Sequence, residues 1–169
     1  MPDRRLVNFT GFALCAALIA YALYAQFQLR LEPCPLCIFQ RIGIVVLGVV
    51  FLAAALHDPP GRGRYGYALV IGAVALATLA VAARHLYVQS LPPGTLPSCG
   101  APLGVLLKFM PVWQVIRKVL TGSGECAVVN WHFLGLAMPA WVLVWAVVLG
   151  VGGTYANLAS QRRGAYVAR

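Results

Sequence analysis

Three long stretches of this chain carry no charged side chain. They run from Arg5 to Arg30, from Arg64 to Arg84, and from Glu125 to Arg162. An α-helix needs about 20 mainly apolar residues to cross the hydrocarbon core of a bilayer, and each stretch is long enough to supply them. The composition, 61% hydrophobic and 10% charged, is too poor in charge for a soluble globule or a nucleic-acid-binding module. The sequence therefore predicts a membrane protein.

A fourth apolar stretch becomes long enough only if it includes a charge. Ile42 to Leu56 alone is shorter than a membrane span, whereas a start at Leu36 reaches the required length and places Arg41 inside the helix. Such an arginine snorkels to the interface or meets a polar partner. We predict an all-α protein, a single domain over residues 1–169 that forms a four-helix transmembrane bundle. Its spans lie at about 8–29, 36–56, 65–83 and 133–153.

Four spans place both termini and the 57–64 loop on one side of the membrane, and loops 30–35 and 84–132 on the other. The first side carries seven Lys and Arg residues and the second six. The positive-inside rule therefore favours cytoplasmic termini by a small margin. Alternatively, the Arg-Arg pair before the first apolar run begins a signal peptide, but this run is longer than a signal peptide needs.

Four of the five cysteines fall on one face of the predicted bundle. Cys34 and Cys37 lie in the loop after the first span, and Cys99 and Cys126 lie in the loop after the third. Cys15 is in the middle of a span, where a small packing residue is expected. We predict two exposed pairs and one buried thiol.

The first pair has the spacing of a redox motif, Cys34-Pro35-Leu36-Cys37. Pro35 suits the first position of a helix, so Cys34 falls near the N-cap and Cys37 in the first turn, where the helix dipole favours a thiolate. Arg41 follows one turn later on the same face, which puts a permanent cation under both sulfurs. A structural disulfide or half of a zinc site remain as alternatives.

The second pair lies in a long segment between predicted spans, 85–132. Cys99 follows a turn-rich stretch, and Cys126 ends a glycine-rich run that we interpret as a flexible hinge. Between them, residues 106–120 predict a short amphipathic helix, broken or started at Pro111. It lies in the membrane interface or packs on the bundle. A plain structural disulfide is an alternative function for this pair.

The two cysteine pairs lie on one face of the bundle. The first is at a helix start and the second is predicted to be mobile, which indicates a thiol relay from a soluble partner toward the membrane. Oxidation of thiols needs an electron acceptor, and the chain has no nucleotide-binding, flavin, haem or P-loop motif. The acceptor should therefore be lipid-soluble. Disulfides persist in the periplasm, which places the cysteine face outside the cytoplasm.

The chain with these features resembles a known family, the disulfide bond formation protein B (DsbB) family. The resemblance covers about residues 8–153. It rests on Cys34-Pro35-Leu36-Cys37 with Arg41, the long loop with Cys99 and Cys126, Ser123-Gly124-Glu125-Cys126, and the run from Phe133 to Trp141.

The resemblance implies a multi-pass protein of the bacterial inner membrane. Such a protein reoxidises a thioredoxin-like, DsbA-type periplasmic dithiol oxidase and passes the electrons to ubiquinone or menaquinone, without a metal. The disulfides would be Cys34–Cys37 and Cys99–Cys126. Cys99 would form the mixed disulfide with the partner, Cys126 would exchange with Cys34, and the Cys37 thiolate would reduce the quinone.

Three further positions take their expected roles from the resemblance. Arg41 matches the quinone-site arginine, and a cation at this depth suits a quinone oxygen. His85 matches a histidine near the quinone, or is an ordinary interfacial histidine. Met138 lines the same pocket or packs in the bundle. Gln40 stands where some members carry an acid, which puts a proton-handling role there in doubt. Interface anchoring and bundle packing are expected of Trp113, Trp131, Trp141 and Trp145.

Two other classes of function fit parts of the pattern. A metal-ion carrier would use the paired cysteines as a relay for a thiophilic ion. A non-catalytic scaffold would hold two inert disulfides. Proteins similar to vitamin K epoxide reductase also combine four spans with a Cys-x-x-Cys motif, but in a late span, whereas here the motif opens the second.

Overall fold

The computed structural model describes residues 3–59, 61–92, 95, 103–122, 124–129 and 131–159. These residues form seven helices and one two-stranded hairpin. The elements are α1 (Arg4–Phe27), α2 (Pro35–His57), α3 (Gly63–Gln89), α4 (Leu103–Phe109), α5 (Val112–Thr121), α6 (Gly124–Ala127), β1 (His132–Phe133), β2 (Leu136–Ala137) and α7 (Met138–Ala159). Helices α1, α2, α3 and α7 are long and apolar enough to cross a membrane. The predicted all-α membrane bundle is confirmed.

The long helices extend beyond the predicted spans at several ends. Helix α1 begins at Arg4 because the carboxylate of Asp3 accepts a hydrogen bond from the backbone N–H of Arg5, 3.3 Å away. Helix α3 continues to Gln89, well past residue 83. The start of the fourth span at residue 133 was wrong. Residues 132–137 form the β1–β2 hairpin, whose tip has positive φ angles at Leu134 (50°) and Gly135 (78°), so α7 begins only at Met138.

The predicted amphipathic helix is present as two pieces, α4 and α5, with the break at Pro111. Proline has no backbone N–H and disfavours helical geometry in the residue before it, which explains the break. Val115 and Val119 are buried and pack in a cluster with Leu36 and Val88, so α5 packs on the bundle. Its other face is also partly apolar and exposed, and its position in the membrane interface stays a prediction.

The core of the bundle is centred on Phe51 of α2, which is 1% exposed. A Cβ atom on Gly11 of α1 would lie 2.9 Å from the Phe51 ring, and one on Gly153 of α7 would lie 2.5 Å from it. A Cβ on Gly150 would likewise lie 2.6 Å from the Cβ of Ala75. Small residues thus bring the helices close around one aromatic ring, as is common in membrane bundles. Cys15 is buried in the same cluster, as predicted.

Polar contacts join the helices at the end of the bundle that holds the N-terminus of α1 and the C-terminus of α7. The guanidinium of Arg4 donates a 2.7 Å hydrogen bond to Asp58, which follows α2. The buried side chains of Asn8 and Asn157 donate hydrogen bonds to each other, at 3.3 and 2.9 Å. The opposite end, which we call the cysteine end, holds the C-termini of α1 and α3 and the N-termini of α2 and α7.

Candidate functional site

The cysteine pair opens α2 as the sequence predicts. Cys34 is the N-cap, with an extended backbone (φ −67°, ψ 163°), and its sulfur accepts a 3.4 Å hydrogen bond from the backbone N–H of Cys37. Pro35 occupies the first helical turn, where its missing N–H leaves no hydrogen bond unmade. The two Sγ atoms are 3.3 Å apart as thiols, and both residues are half-buried. The local sequence therefore holds two sulfurs side by side at a helix start.

His85 of α3 lies against both sulfurs. Its Nε2 atom is 3.7 Å from Cys34 Sγ, and its Nδ1 atom is 4.0 Å from Cys37 Sγ. The residue is only 2% exposed. Cys34, Cys37 and His85 can each offer one metal-ligating atom, and these atoms all lie within 4.8 Å of one another. The structure thus places His85 beside the cysteine pair, and its role near a quinone stays a prediction.

The polar partners of the His85 ring determine how it is oriented. The Gln40 side-chain nitrogen lies 2.9 Å from His85 Nδ1, and the backbone carbonyl oxygen of Cys126 lies 3.1 Å from Nε2. A neutral ring satisfies both contacts if Gln40 donates to Nδ1 and Nε2–H donates to the carbonyl. The carbonyl oxygen can only accept, so this contact places the proton on Nε2, and the buried Gln40 side chain then donates to Nδ1.

Cys126 differs from its prediction. It is 1% exposed and lies in α6, which packs against α3, so the expected exposed thiol was wrong. Residues Gly124–Ala127 form a short helix, and Cys126 packs in an apolar cluster with Leu36, Val88 and Leu106. The hinge in the glycine-rich run before it stays a prediction. Cys99 lies outside the described residues.

Arg41 is half-buried one turn below Cys37, and its guanidinium is bound to α1. Its Nη1 atom donates to the side-chain oxygen of Gln26, and its Nη2 atom donates to the Ala22 carbonyl oxygen, 3.1 Å away. The prediction that Arg41 meets a polar partner within the bundle is confirmed. The cation is thereby held between α1 and α2.

Two cavities meet at Cys37 and Arg41. The larger, about 390 Å³, lies between α1, α2 and α7 and is mainly apolar. Its lining includes Leu18, Ile44, Met138, Trp131, Phe133, Trp141 and Trp145. The smaller, about 80 Å³, is a more polar cleft whose lining includes Glu32, Cys34, His85, Gln89 and Met138. Met138 therefore lines both cavities, and its contact with a quinone stays a prediction.

Several residues of the site were missed or assigned otherwise from the sequence. Gln26 was missed, although it is the last polar side chain in a helix that is otherwise largely apolar. Glu32 was missed because a loop carboxylate gives no pattern. The tryptophans Trp131, Trp141 and Trp145 were expected to anchor and pack, but all three line the larger cavity. Trp131 also stacks on Phe133 with ring centroids 6.0 Å apart, which builds one wall of it.

The fold and the site define a multi-pass membrane protein with a paired-thiol centre at one end of its bundle. The family described as disulfide bond formation protein DsbB matches residues 4–156. The chain is 48% identical over 148 residues to the disulfide bond formation protein B of Xanthomonas campestris, covering 87% of this chain and 86% of that protein. It is 47% identical over 150 residues to that of Methylococcus capsulatus, covering 89% and 92%. It is 44% identical over 155 residues to that of Xylella fastidiosa, covering 91% and 90%.

The chain belongs to the DsbB family, and its activity is that of a disulfide oxidoreductase in disulfide bond formation.

Proposed function

We propose that this protein reoxidises a DsbA-type periplasmic thiol oxidase and transfers the electrons to ubiquinone or menaquinone in the inner membrane. In this arrangement the cysteine end faces the periplasm and both termini are cytoplasmic. The catalytic residues are Cys34, Cys37, Cys99 and Cys126. Arg41, His85 and Met138 form the polar and apolar contacts around the quinone.

The larger cavity is the observation that carries the proposal. It places the sulfur-bearing residue Cys37 and the cation Arg41 in one apolar chamber between membrane-spanning helices. The volume of this cavity, about 390 Å³, is larger than a protein-core cavity of about 150 Å³ that binds benzene. A quinone bound there supplies a two-electron acceptor. Arg41 offers N–H groups and a fixed positive charge to an oxygen that gains negative charge, while the tryptophans and Met138 exclude water.

The proposed thiol chemistry is a series of disulfide exchanges. A partner thiolate attacks a Cys99–Cys126 disulfide at Cys99, and the Cys126 sulfur that is released attacks Cys34 of a Cys34–Cys37 disulfide. Each exchange breaks one S–S bond and forms another, so two electrons move inward. The released Cys37 thiolate lies in the first turn of α2, where backbone N–H groups stabilise negative charge.

His85 supports the inner exchange step by holding Cys126. Its Nε2–H donates to the Cys126 carbonyl oxygen while its ring lies beside Cys34 and Cys37. This contact keeps the backbone of Cys126 next to the sulfur that its thiolate attacks, which is a proximity effect. The second thiol of the partner then attacks the mixed disulfide and releases Cys99, and Cys99 attacks Cys126 to free Cys34. These two exchanges leave an oxidised partner, a Cys99–Cys126 disulfide and a Cys34–Cys37 dithiol. Oxidation of that dithiol to its disulfide delivers two electrons to the acceptor and releases two protons.

The main experiment follows both substrates at once. Purified protein in detergent is mixed under anaerobic conditions with a short-chain quinone and a reduced DsbA-type oxidase, and quinone absorbance and partner thiols are recorded together. We expect two thiols lost per quinone reduced, with activity abolished by Cys37→Ser. Cys15→Ala is the matched control, because this thiol is buried in the core away from the site and its loss should leave turnover in place.

Other outcomes would favour other functions. An active Cys99→Ser variant would contradict the order of exchange. Thiols that stay reduced with several active partners would contradict the proposal and favour a metal carrier or an inert scaffold.

The orientation has its own test in a background without the five native cysteines. The substitution Ser90→Cys introduces a thiol just after α3, at the cysteine end, and Arg62→Cys introduces one just before α3, at the other end. Both positions are exposed. A membrane-impermeant thiol reagent added to spheroplasts should label the first and not the second. The reverse pattern would place the cysteine end in the cytoplasm.

A further inference from the structure

The smaller cleft is a separate chemical environment from the apolar cavity. Its volume of about 80 Å³ is too small for a quinone ring but holds about two or three water molecules. Glu32, which is exposed, lines the cleft together with Cys34, Cys37 and His85. The cleft therefore combines two soft sulfur ligands, an imidazole and a carboxylate in a space that fits a hydrated ion.

The distances in the cleft are close to those of a tetrahedral metal site. With Zn–S bonds of about 2.3 Å and Zn–N bonds of about 2.05 Å, neighbouring sulfurs lie about 3.8 Å apart and sulfur lies about 3.6 Å from nitrogen. The structure has 3.3 Å between the two Sγ atoms and 3.7 Å between Cys34 Sγ and His85 Nε2. An adjustment of about half an ångström brings the sulfurs to the zinc spacing. Cys37 Sγ lies 4.0 Å from the other ring nitrogen, Nδ1, so the imidazole must also turn its Nε2 atom toward this sulfur.

We propose that the dithiol form of this centre binds a thiophilic divalent cation, Zn²⁺ or Cd²⁺, through Cys34, Cys37 and His85. Binding releases the two thiol protons and changes no oxidation state. The fourth position faces the cleft and takes water, while the Glu32 carboxylate at the cleft wall adds negative charge. A Cys34–Cys37 disulfide offers no thiolate, so the site exists only while the pair is reduced.

The surroundings of His85 can adapt to a bound ion. His85 Nε2 becomes the ligand when it gives up its hydrogen bond to the Cys126 carbonyl. The proton then lies on Nδ1, and Gln40 accepts from it once its side-chain amide rotates, because that amide carries both a donor and an acceptor. A neutral acceptor behind the ligating imidazole is a common arrangement in metal sites.

The charges that line the cleft act in opposite directions. Glu32 attracts a cation, whereas Arg41 repels one. The guanidinium of Arg41 is drawn to α1 by Gln26 and Ala22, and two thiolates neutralise a divalent ion. A bound ion occupies the sulfur of Cys37 and removes His85 from Cys126, so it inhibits both thiol exchange and reoxidation. This inhibition rests on the proposed function, but the binding does not.

The test is a titration of the full chain in detergent with Cd²⁺, without quinone or partner, following the ultraviolet sulfur-to-cadmium charge-transfer absorbance. We expect one Cd²⁺ per chain for the reduced protein and none at this site after oxidation. Cys37→Ser should abolish binding, and His85→Ala should weaken it by about tenfold or more. Cys15→Ala and Cys126→Ser should retain it, since neither thiol is a ligand.

Three results would overturn the proposal: equal binding by oxidised and reduced protein, no loss of affinity in His85→Ala, or loss of binding in Cys126→Ser. The comparison of oxidised with reduced protein uses the unsubstituted chain, so it decides the matter even if a variant fails to fold. Absence of Cd²⁺ binding with intact quinone turnover would refute only the metal site. Normal Cd²⁺ binding without quinone turnover would refute only the proposed function.

Discussion

The hydrogen bond from Arg41 to Gln26 leads to a specific expectation for quinone affinity. Gln26→Leu keeps the size of the side chain but removes the acceptor for the guanidinium. Hydrogen bonds to charged groups contribute about 1.5–3 kcal/mol, and we take the lower end because Arg41 is half-buried and keeps its bond to the Ala22 carbonyl. Since about 1.4 kcal/mol corresponds to a factor of ten, the quinone KM should rise about tenfold.

The assay measures quinone reduction at saturating partner, and then partner oxidation at saturating quinone. The physical reason for the expected change is loss of preorganisation: a guanidinium that is no longer fixed by α1 must be ordered when quinone binds. The KM for the partner should therefore stay unchanged. Quenching of tryptophan fluorescence by quinone gives the dissociation constant directly, which guards against a KM that is not a dissociation constant.

Two variants, one at Gln26 itself and one at the residue that caps the C-terminus of α1, serve as controls. Gln26→Glu retains an acceptor and should keep a quinone KM near that of the unsubstituted protein. Gln28→Leu makes the same chemical change at an exposed position two residues away. An unchanged quinone KM in Gln26→Leu, or an equal rise in Gln28→Leu, would refute the role of Gln26 in positioning Arg41.

Three further predictions concern the bundle. Gly153→Ala should destabilise the fold by about 1–3 kcal/mol, measured by unfolding in SDS, because the added alanine methyl group would overlap the Phe51 ring. Adding Phe51→Leu should recover part of this loss, whereas additive effects of the two substitutions would contradict the overlap. Asn157→Leu should cost about 1–3 kcal/mol in the same assay because it leaves the buried Asn8 amide without this partner, whereas replacing both asparagines by leucine should cost less. Arg84 donates hydrogen bonds to the backbone carbonyl oxygens of Leu120 and Thr121 at the C-terminal end of α5, at 2.8 and 3.0 Å. Arg84→Ala should therefore speed the hydrogen exchange of backbone amides at this end of the helix. Unchanged exchange would show that these contacts do not hold the helix.

Much of this architecture was predictable because it depends on local signals. Three charge-free stretches and a fourth apolar stretch that includes Arg41 predicted the four spans, and Pro35 predicted the start of α2 with Cys34 as its N-cap. Pro111 likewise gave the break between α4 and α5. Each of these features depends on residues close together in the chain, where backbone geometry and hydropathy act directly.

The missed features depend on contacts between distant parts of the chain. Gln26 meets Arg41 across 15 residues, and Gln40 meets His85 across 45 residues. Helix periodicity shows which face a residue occupies but not which neighbour that face meets. The exposure predicted for Cys126 was wrong for a similar reason, since a loop composition suggested a surface position, whereas packing among apolar side chains from distant segments buries the thiol.

The Phe51 ring between Gly11 and Gly153 also limits how this sequence can change over time. A larger side chain at either glycine has no space while the ring is present, and a smaller residue at Phe51 leaves a cavity while both glycines remain. Single substitutions at these three positions are therefore selected against, whereas compensating pairs are tolerated. Among homologues the three positions should vary together, and a change in one should predict the volume found at the others.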